Sequence, residues 1–231
     1  MEYIVTPQNH SSCPKKSLNL GQKSGNNSIE SIEIQIHKRI KKAGRGVLFF
    51  AESFISYGGA EAVKKALQRL TNSGELDRVA TGIYVRPVID NIIGKVSPGI
   101  EDIAKAIARR DKARIVPSGA YALNRLGLST QVPMNVVFLT DGSARKIKIG
   151  KRSILLKKTS PKNVATIGEI SGLAIQALKS IGKNKILDKE IKHIQDLLKK
   201  EKPTRLEHDI RLAPVWIREI MKPVLKTTNN E

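Results

Sequence analysis

Two glycine signals bracket one amphipathic segment, and that segment limits what can surround it. Gly58-Gly59 precede Ala60–Ser73, and Gly74 follows it. Within the segment Val63, Ala66, Leu67 and Leu70 fall on one stripe at helical spacing. A helix of this kind must bury that stripe against elements close by in the chain. Gly74 suits the left-handed position that ends a helix. Upstream, Ile29, Ile32, Ile36 and Ile40 repeat at the same spacing, with Lys38, Lys41 and Lys42 on other faces, before Gly44 and Gly46. Between the two helices, Val47-Leu48-Phe49-Phe50 reads as a buried strand and Ala51 to Tyr57 as a short helix. Downstream, Leu76–Val79 and Ile83–Arg86 flank Ala80-Thr81-Gly82 and predict a β-hairpin.

This order predicts a winged helix-turn-helix over residues 29–95, the competing reading being a small α/β module packed on a neighbour. Helical geometry then picks out a reading face. Opposite the apolar stripe lie Glu61, Lys65, Gln68 and Asn72, flanked by Lys64 and Arg69. In a major groove Gln68 suits adenine and Lys65 guanine, while Glu61 could accept from a cytosine amino group. Lys64 and Arg69 are placed for phosphates, which set register without reading sequence. In the hairpin Arg78, Thr81 and Arg86 are the candidate contacts, and Tyr84 reads as core.

Charge speaks to partners rather than to fold. The chain has 231 residues and a net charge of +20. A surplus of that size points to nucleic acid, an anionic membrane or an acidic protein. Aromatics are 4% of the residues, which argues against an amphipathic membrane-surface helix. No apolar run is long enough to span a bilayer. Met1 to Cys13 shows no basic start and no apolar core, so no signal peptide is expected. A single cysteine, Cys13, cannot form an internal disulfide and fits a reducing compartment. With four scattered histidines it also excludes a Cys/His zinc site.

The surplus is unevenly placed. Residues 1–28, 29–95, 96–162 and 163–231 carry +2, +4, +10 and +4. The first stretch is polar and reads as a disordered arm. Half of the charge therefore falls outside the motif that resembles a DNA reader. In the third stretch Ile100–Asp111 reads as a helix and Arg114–Val116 as a strand. Ser118 is a candidate N-cap for a helix over Gly119–Leu126. Val136–Thr140 reads as a buried strand, Asp141-Gly142 as a hairpin turn, and Ala144–Ile149 and Arg152–Lys158 as further strands. Their cations, Arg145, Lys146, Lys148, Lys151, Arg152, Lys157 and Lys158, predict a basic sheet face that repels itself unless an anion is bound. The last stretch reads as helices, with Ile170, Leu173, Ala174, Ala177, Leu178 and Ile181 on one stripe. Leu187, Ile191, Ile194 and Leu198 form another, Trp216 reads as a packing anchor, and Asp209 with Arg211 as a structural pair. The whole reads as an α+β protein: a winged helix at 29–95, then a mixed α/β domain at 96–231 ending in a helical bundle.

Several phrases carry a resemblance. They are Pro117-Ser118-Gly119-Ala120-Tyr121-Ala122-Leu123-Asn124-Arg125-Leu126-Gly127-Leu128, Val137-Phe138-Leu139-Thr140-Asp141-Gly142, Thr159-Ser160-Pro161-Lys162-Asn163 and Asp209-Ile210-Arg211-Leu212-Ala213-Pro214-Val215-Trp216-Ile217. Over residues 29–225 the chain resembles the bacterial abortive-infection antitoxins of the AbiEi-like type. That resemblance implies a winged helix that represses its own operon by binding double-stranded operator DNA. It implies a C-terminal domain that counteracts a nucleotidyltransferase-like toxin without a stable complex. It also implies a bacterial cytoplasmic setting and a basic C-terminal surface.

No catalytic signature accompanies these features. Gly150-Lys151 is followed by Arg152, where a phosphate-binding loop needs Ser or Thr. Gly142-Ser143 is similar to the phosphate-binding turn of nucleotidyltransferases, yet residues 144–168 hold no Asp or Glu for metal. The expectation is a non-enzyme with no cofactor and no metal. The alternative is an RNA-binding or RNA-modifying protein that uses the basic sheet.

Overall fold

The computed structural model describes residues 30–228. The arm read at 1–28, Cys13 and Ile29 lie outside the described residues. Helix α1, Ile32–Lys42, starts at Ser31, whose hydroxyl accepts from the Ile34 amide, and turns Ile36 and Ile40 inward. Strand β1, Leu48–Phe50, leads into a 3-10 turn over Ala51–Tyr57, where a short helix was expected. Phe54, buried in that turn, has its ring 5.9 Å from Phe49 and 6.2 Å from Tyr57. Helix α2, Ala60–Asn72, buries Val63, Ala66, Leu67 and Leu70 against α1, as the stripe predicts. Strands β2, Asp77–Ala80, and β3, Ile83–Val85, form the expected hairpin. Its turn is closed by Gly82 at φ +71, a conformation glycine adopts without strain. Strand β1 adds to β3, so the order is β1-β3-β2, antiparallel throughout, with Phe50 opposite Ile83.

A second hairpin follows that the sequence reading did not include: β4, Val88–Asp90, and β5, Gly94–Val96. Beyond it come helix α3, Ile100–Arg110, and strand β6, Ile115–Ser118. Ser118 does not cap the next helix. It pairs with Val137 in the sheet, and Gly119, at φ +62, takes the N-cap position of helix α4, Ala120–Arg125.

Strands β7, Asn135–Thr140, β8, Arg145–Ile149, and β9, Arg152–Lys158, complete a four-stranded sheet in the order β6-β7-β9-β8. The hairpin expected at Asp141-Gly142 is therefore absent: β7 pairs in parallel with β9, and β8 pairs with β9 alone. The reason is a long-range contact at the turn. The Asp141 carboxylate accepts from the Arg114 amide at 2.7 Å and from its Nε at 2.9 Å. A Cβ at Gly142 would lie 2.7 Å from that of Ala113. The chain is thus drawn toward the loop before β6 instead of folding back on β7. Composition agrees, because β9 carries Ile154 and Leu156 into the core and suits the interior, whereas β8 alternates lysine with isoleucine and suits an edge.

The chain closes with a 3-10 turn, Pro161–Val164, and four helices: α5, Glu169–Ile181, α6, Asp188–Leu198, α7, Pro203–Leu212, and α8, Val215–Thr228. Leu173, Ala174 and Leu178 meet Ile194, Leu198, Leu206, Ile210, Ile217 and Met221 in one core, and Trp216 packs against it. Leu187 does not join the α6 stripe; it is the exposed N-cap residue. Asp209 does not pair with Arg211, which bonds Glu207 instead. Buried Asp209 accepts from the Ile167 and Gly168 amides, each at 2.9 Å, and from the Ser171 hydroxyl, so it neutralises the start of α5.

The protein is a mixed α+β structure, and the residues from Ser31 onward form one compact unit. The boundary read at 95/96 falls inside β5, three residues before the N-cap of α3. Ala80 and Ile83 share a core with Ile103, Ile107, Phe138, Ile154 and Leu156.

Candidate nucleic-acid interface

All six candidate residues on α2, Glu61, Lys64, Lys65, Gln68, Arg69 and Asn72, are exposed opposite the buried stripe. They are not equally free. Lys64 Nζ lies 3.6 Å from Glu61 Oε1, and Arg69 Nε bonds Glu33 of α1 at 2.5 Å. Lys65 has no acidic partner among the described residues.

The N-terminal half of α2, the 3-10 turn and the β2–β3 turn enclose a groove of about 300 Å3. Glu61, Lys64, Arg78 and Thr81 stand around it, over an apolar floor of Ile55, Val63 and Tyr84. Four of the nine expected DNA contacts thus converge. Arg86 is elsewhere: its guanidinium donates to the carbonyls of Lys41 at 3.1 Å and Ala43 at 2.8 Å, closing the C-terminus of α1. There its charge faces the negative end of the helix.

On the other side of the same turn, β2 lies against β8. Thr81 and Ile83 line a second groove of about 380 Å3 with Arg110, Arg145, Lys146 and Lys148. Thr81 therefore stands between the exposed face of α2 and the basic edge strand.

The sequence predicts one basic face for the seven cations of the sheet, and the structure does not give them one. Strand alternation separates them. Lys146 is opposite Leu155 and Lys148 opposite Ser153, which puts both on the same face as Lys157. Arg145, Arg152 and Lys158 lie in the register of the other face, and Lys151 is in the β8–β9 turn. Arg145 is held by Asp111. Burial, and then the Arg110 guanidinium, pull it below the ordinary arginine range. By contrast Lys146, Lys148, Lys151, Lys157 and Lys158 are exposed and have no acidic partner among the described residues. No Asp or Glu occurs in residues 144–168 to supply one.

Arg110 is a member of the groove that the sequence did not reveal. Its guanidinium lies 4.5 Å from the centre of the Phe50 ring, 3.2 Å from Glu52 and 2.9 Å from Asp111. At the end of α3 it reads from sequence only as a cation that complements the helix dipole.

A third cavity, about 340 Å3, opens at the start of α5 beside Glu101, Lys105, Thr166, Glu169 and Arg205. Its charges answer one another. Lys105 lies 2.8 Å from Glu101, the Tyr121 hydroxyl donates to Glu101 at 3.0 Å, and Arg125 bridges Glu101 and Glu169. Among the described residues no group of three or more His, Cys, Asp and Glu is placed to hold a metal ion. No helix among them is long and apolar enough to cross a membrane.

Comparison with known proteins gives a family of unknown function, DUF6088, whose pattern matches residues 35–206. No curated protein matches. Among solved structures the chain is similar to the RV2827C protein from Mycobacterium tuberculosis. The identity is 13%, the coverage 84% of this chain and 81% of that one, and the TM-score 0.42.

Proposed function

The chain belongs to DUF6088, a family of unknown function, and from the geometry above we propose that it is a sequence-reading DNA-binding protein. The observation that carries this reading is the position of Thr81, between the exposed face of α2 and the unpaired lysines of β8. The order of α1, β1, the 3-10 turn, α2 and the β2–β3 hairpin, with β1 in the sheet, supports a winged helix-turn-helix. Helix α2 enters the major groove and presents Lys65, Gln68 and Asn72 to base edges. The β2–β3 turn is too short to act as a long wing, and β8 extends it: Lys146 and Lys148 follow the phosphates beside the groove.

The cellular role we propose is that of an antitoxin and repressor of its own operon, counteracting a nucleotidyltransferase-like toxin in the bacterial cytoplasm. It rests on the resemblance of the motifs at 117–128, 137–142, 159–163 and 209–217. Growth rescue by this chain from a co-expressed nucleotidyltransferase-like toxin encoded beside its gene supports it, and the absence of such a gene or of rescue removes it.

The DNA reading is tested by titrating the protein against its own promoter, a shuffled duplex and a structured RNA at two salt concentrations. The promoter is preferred by about a thousandfold or more, a ratio typical of specific sites. Lys65→Ala or Gln68→Ala lowers that preference by about 1–3 kcal/mol. Lys146→Ala with Lys148→Ala weakens all duplexes alike and reduces the salt slope by roughly two. Equal binding of both duplexes overturns the reading. Tighter binding of the RNA transfers the basic sheet to RNA.

A further inference from the structure

Hairpin β4–β5 carries the two most exposed large apolar side chains among the described residues. Pro87 to Gly94 contains no lysine or arginine, in a chain of net charge +20. Its one acid, Asp90, is engaged within the turn, where Oδ1 accepts from the Ile92 amide at 2.8 Å and the Ile93 amide at 3.0 Å. That turn holds Ile92 and Ile93 in solvent at 93% and 74% exposure, with Ile89 at 62%. The hairpin's one cation, Lys95 of β5, stands opposite Ile89 and bonds Asp77. Among the described residues the two strands form a sheet of their own, so each has an edge with no ladder partner. Contiguous exposed apolar side chains of this kind mark an interaction surface.

We propose that this hairpin is the surface through which two copies of the chain associate. Nucleic acid is a poor occupant, because the counterion release that drives its binding needs lysine or arginine. An anionic membrane is a poor one for the same reason. Two chains of net charge +20 repel each other, so a contact between copies belongs where unpaired cations are few: Pro87–Gly94 has none, and Lys95 beside it is paired with Asp77. The patch suits a two-fold axis: each hairpin offers the other the same isoleucines and an open strand edge, which is the self-complementarity an isologous dimer needs. Its position suits the dimer as well. Strand β4 leaves from the Val85 end of β3, opposite the Thr81–Gly82 turn, so pairing hairpins leaves that turn and the N-terminal half of α2 beside it open. Stable interfaces bury roughly 1,200–2,000 Å2 in total. A contact of two short hairpins is small against that range, so the dimer depends on concentration.

Sedimentation velocity on the full chain, over a concentration series at low and high salt, tests this. The expected mass rises with concentration from the 25.5 kDa of one chain toward twice that value. It rises further at high salt, where screening removes the repulsion between copies. Ile92→Asp with Ile93→Asp weakens the dimer about tenfold or more and leaves the circular dichroism spectrum unchanged, since both side chains are in solvent. Val132→Asp, a change at an exposed apolar residue elsewhere, leaves the dimer intact. A 25.5 kDa species at every concentration and salt overturns the proposal and leaves the hairpin for a different protein. A double variant that assembles as the unmodified chain does overturns it too. Promoter titration of the same double variant is a separate readout, so failure of the dimer and failure of DNA reading are distinguishable.

Discussion

Asp209 acquires its role from residues some forty positions earlier. Its carboxylate accepts from the Ile167 and Gly168 amides and the Ser171 hydroxyl, while buried Glu201 accepts from the Ile170 and Ser171 amides. The first amides of a helix lack partners within it, and its N-terminus carries partial positive charge, so two buried carboxylates there satisfy both needs. Asp209→Ala leaves these donors unpaired in a dry site and costs about 1–3 kcal/mol. Urea titration reads that as a lower midpoint, and Asp209→Asn recovers part of it because one oxygen remains. An unchanged midpoint in Asp209→Ala would show that the cap is not needed. Gly168→Ala is destabilising for a related reason: its Cβ would collide with Ser171 Oγ and lie 2.7 Å from Glu201 Oε2. None of this was legible in sequence, where the nearest cation, Arg211, was the natural partner for Asp209. The same holds for Arg86, whose partners on α1 are more than forty residues away. Lys65, Gln68 and Asn72 are the opposite case, since helical periodicity alone places them on the exposed face of α2.

Three helices are tied together at Glu101. It lies on α3 and receives Lys105 from the same helix and Tyr121 and Arg125 from α4, while Arg125 also reaches Glu169 on α5. Burial pushes the Glu101 carboxyl upward, but the Lys105 hydrogen bond, the Arg125 charge and the Tyr121 hydroxyl outweigh it and hold the group below its ordinary value of 4.5. A carboxyl lowered in the folded state stabilises the protein fully above its unfolded value, and the contribution is lost as pH falls through the folded value. Glu101→Gln is therefore less stable than the unmodified protein at neutral pH, and the gap narrows in acid, once the pH has fallen through the folded value. Urea melts at the two pH values measure this, and a gap that persists in acid would assign it to packing instead. Strand order belongs to the same scale. The alternation of β8 and the apolar content of β9 were readable, and β4–β5 was signalled by Val88-Ile89, Asp90-Asn91 and Gly94. The parallel pairing of β7 with β9 was not, because it depends on Asp141 finding Arg114 and on Gly142 fitting against Ala113.

Across the whole molecule the surplus of cations outweighs any single pair. Lys65, Arg78, Lys146, Lys148, Lys151, Lys157 and Lys158 have no acidic partner among the described residues, so the folded chain repels itself at low ionic strength. Screening relieves that repulsion. The melting temperature is expected to rise with added sodium chloride at neutral pH, and in low salt to rise on adding duplex DNA, an anion that binds the folded state. The DNA increment shrinks as salt is added and shrinks further in Lys146→Ala with Lys148→Ala. A melting temperature indifferent to both additions would mean that the exposed lysines are too far apart to act together.

Sequence alone determined the pieces of this protein and their chemistry. Helical and strand periodicities are local, so the stripe of α2, the hairpin that follows it, the lysine–isoleucine alternation of β8 and the +10 charge of residues 96–162 are all present in the order of residues. Tertiary structure decided which pieces meet. It set β2 against β8, turned Arg86 to the end of α1, paired β7 in parallel with β9, and left Ile92 and Ile93 in solvent. Those outcomes follow from contacts between residues far apart in the chain, and no local periodicity records them.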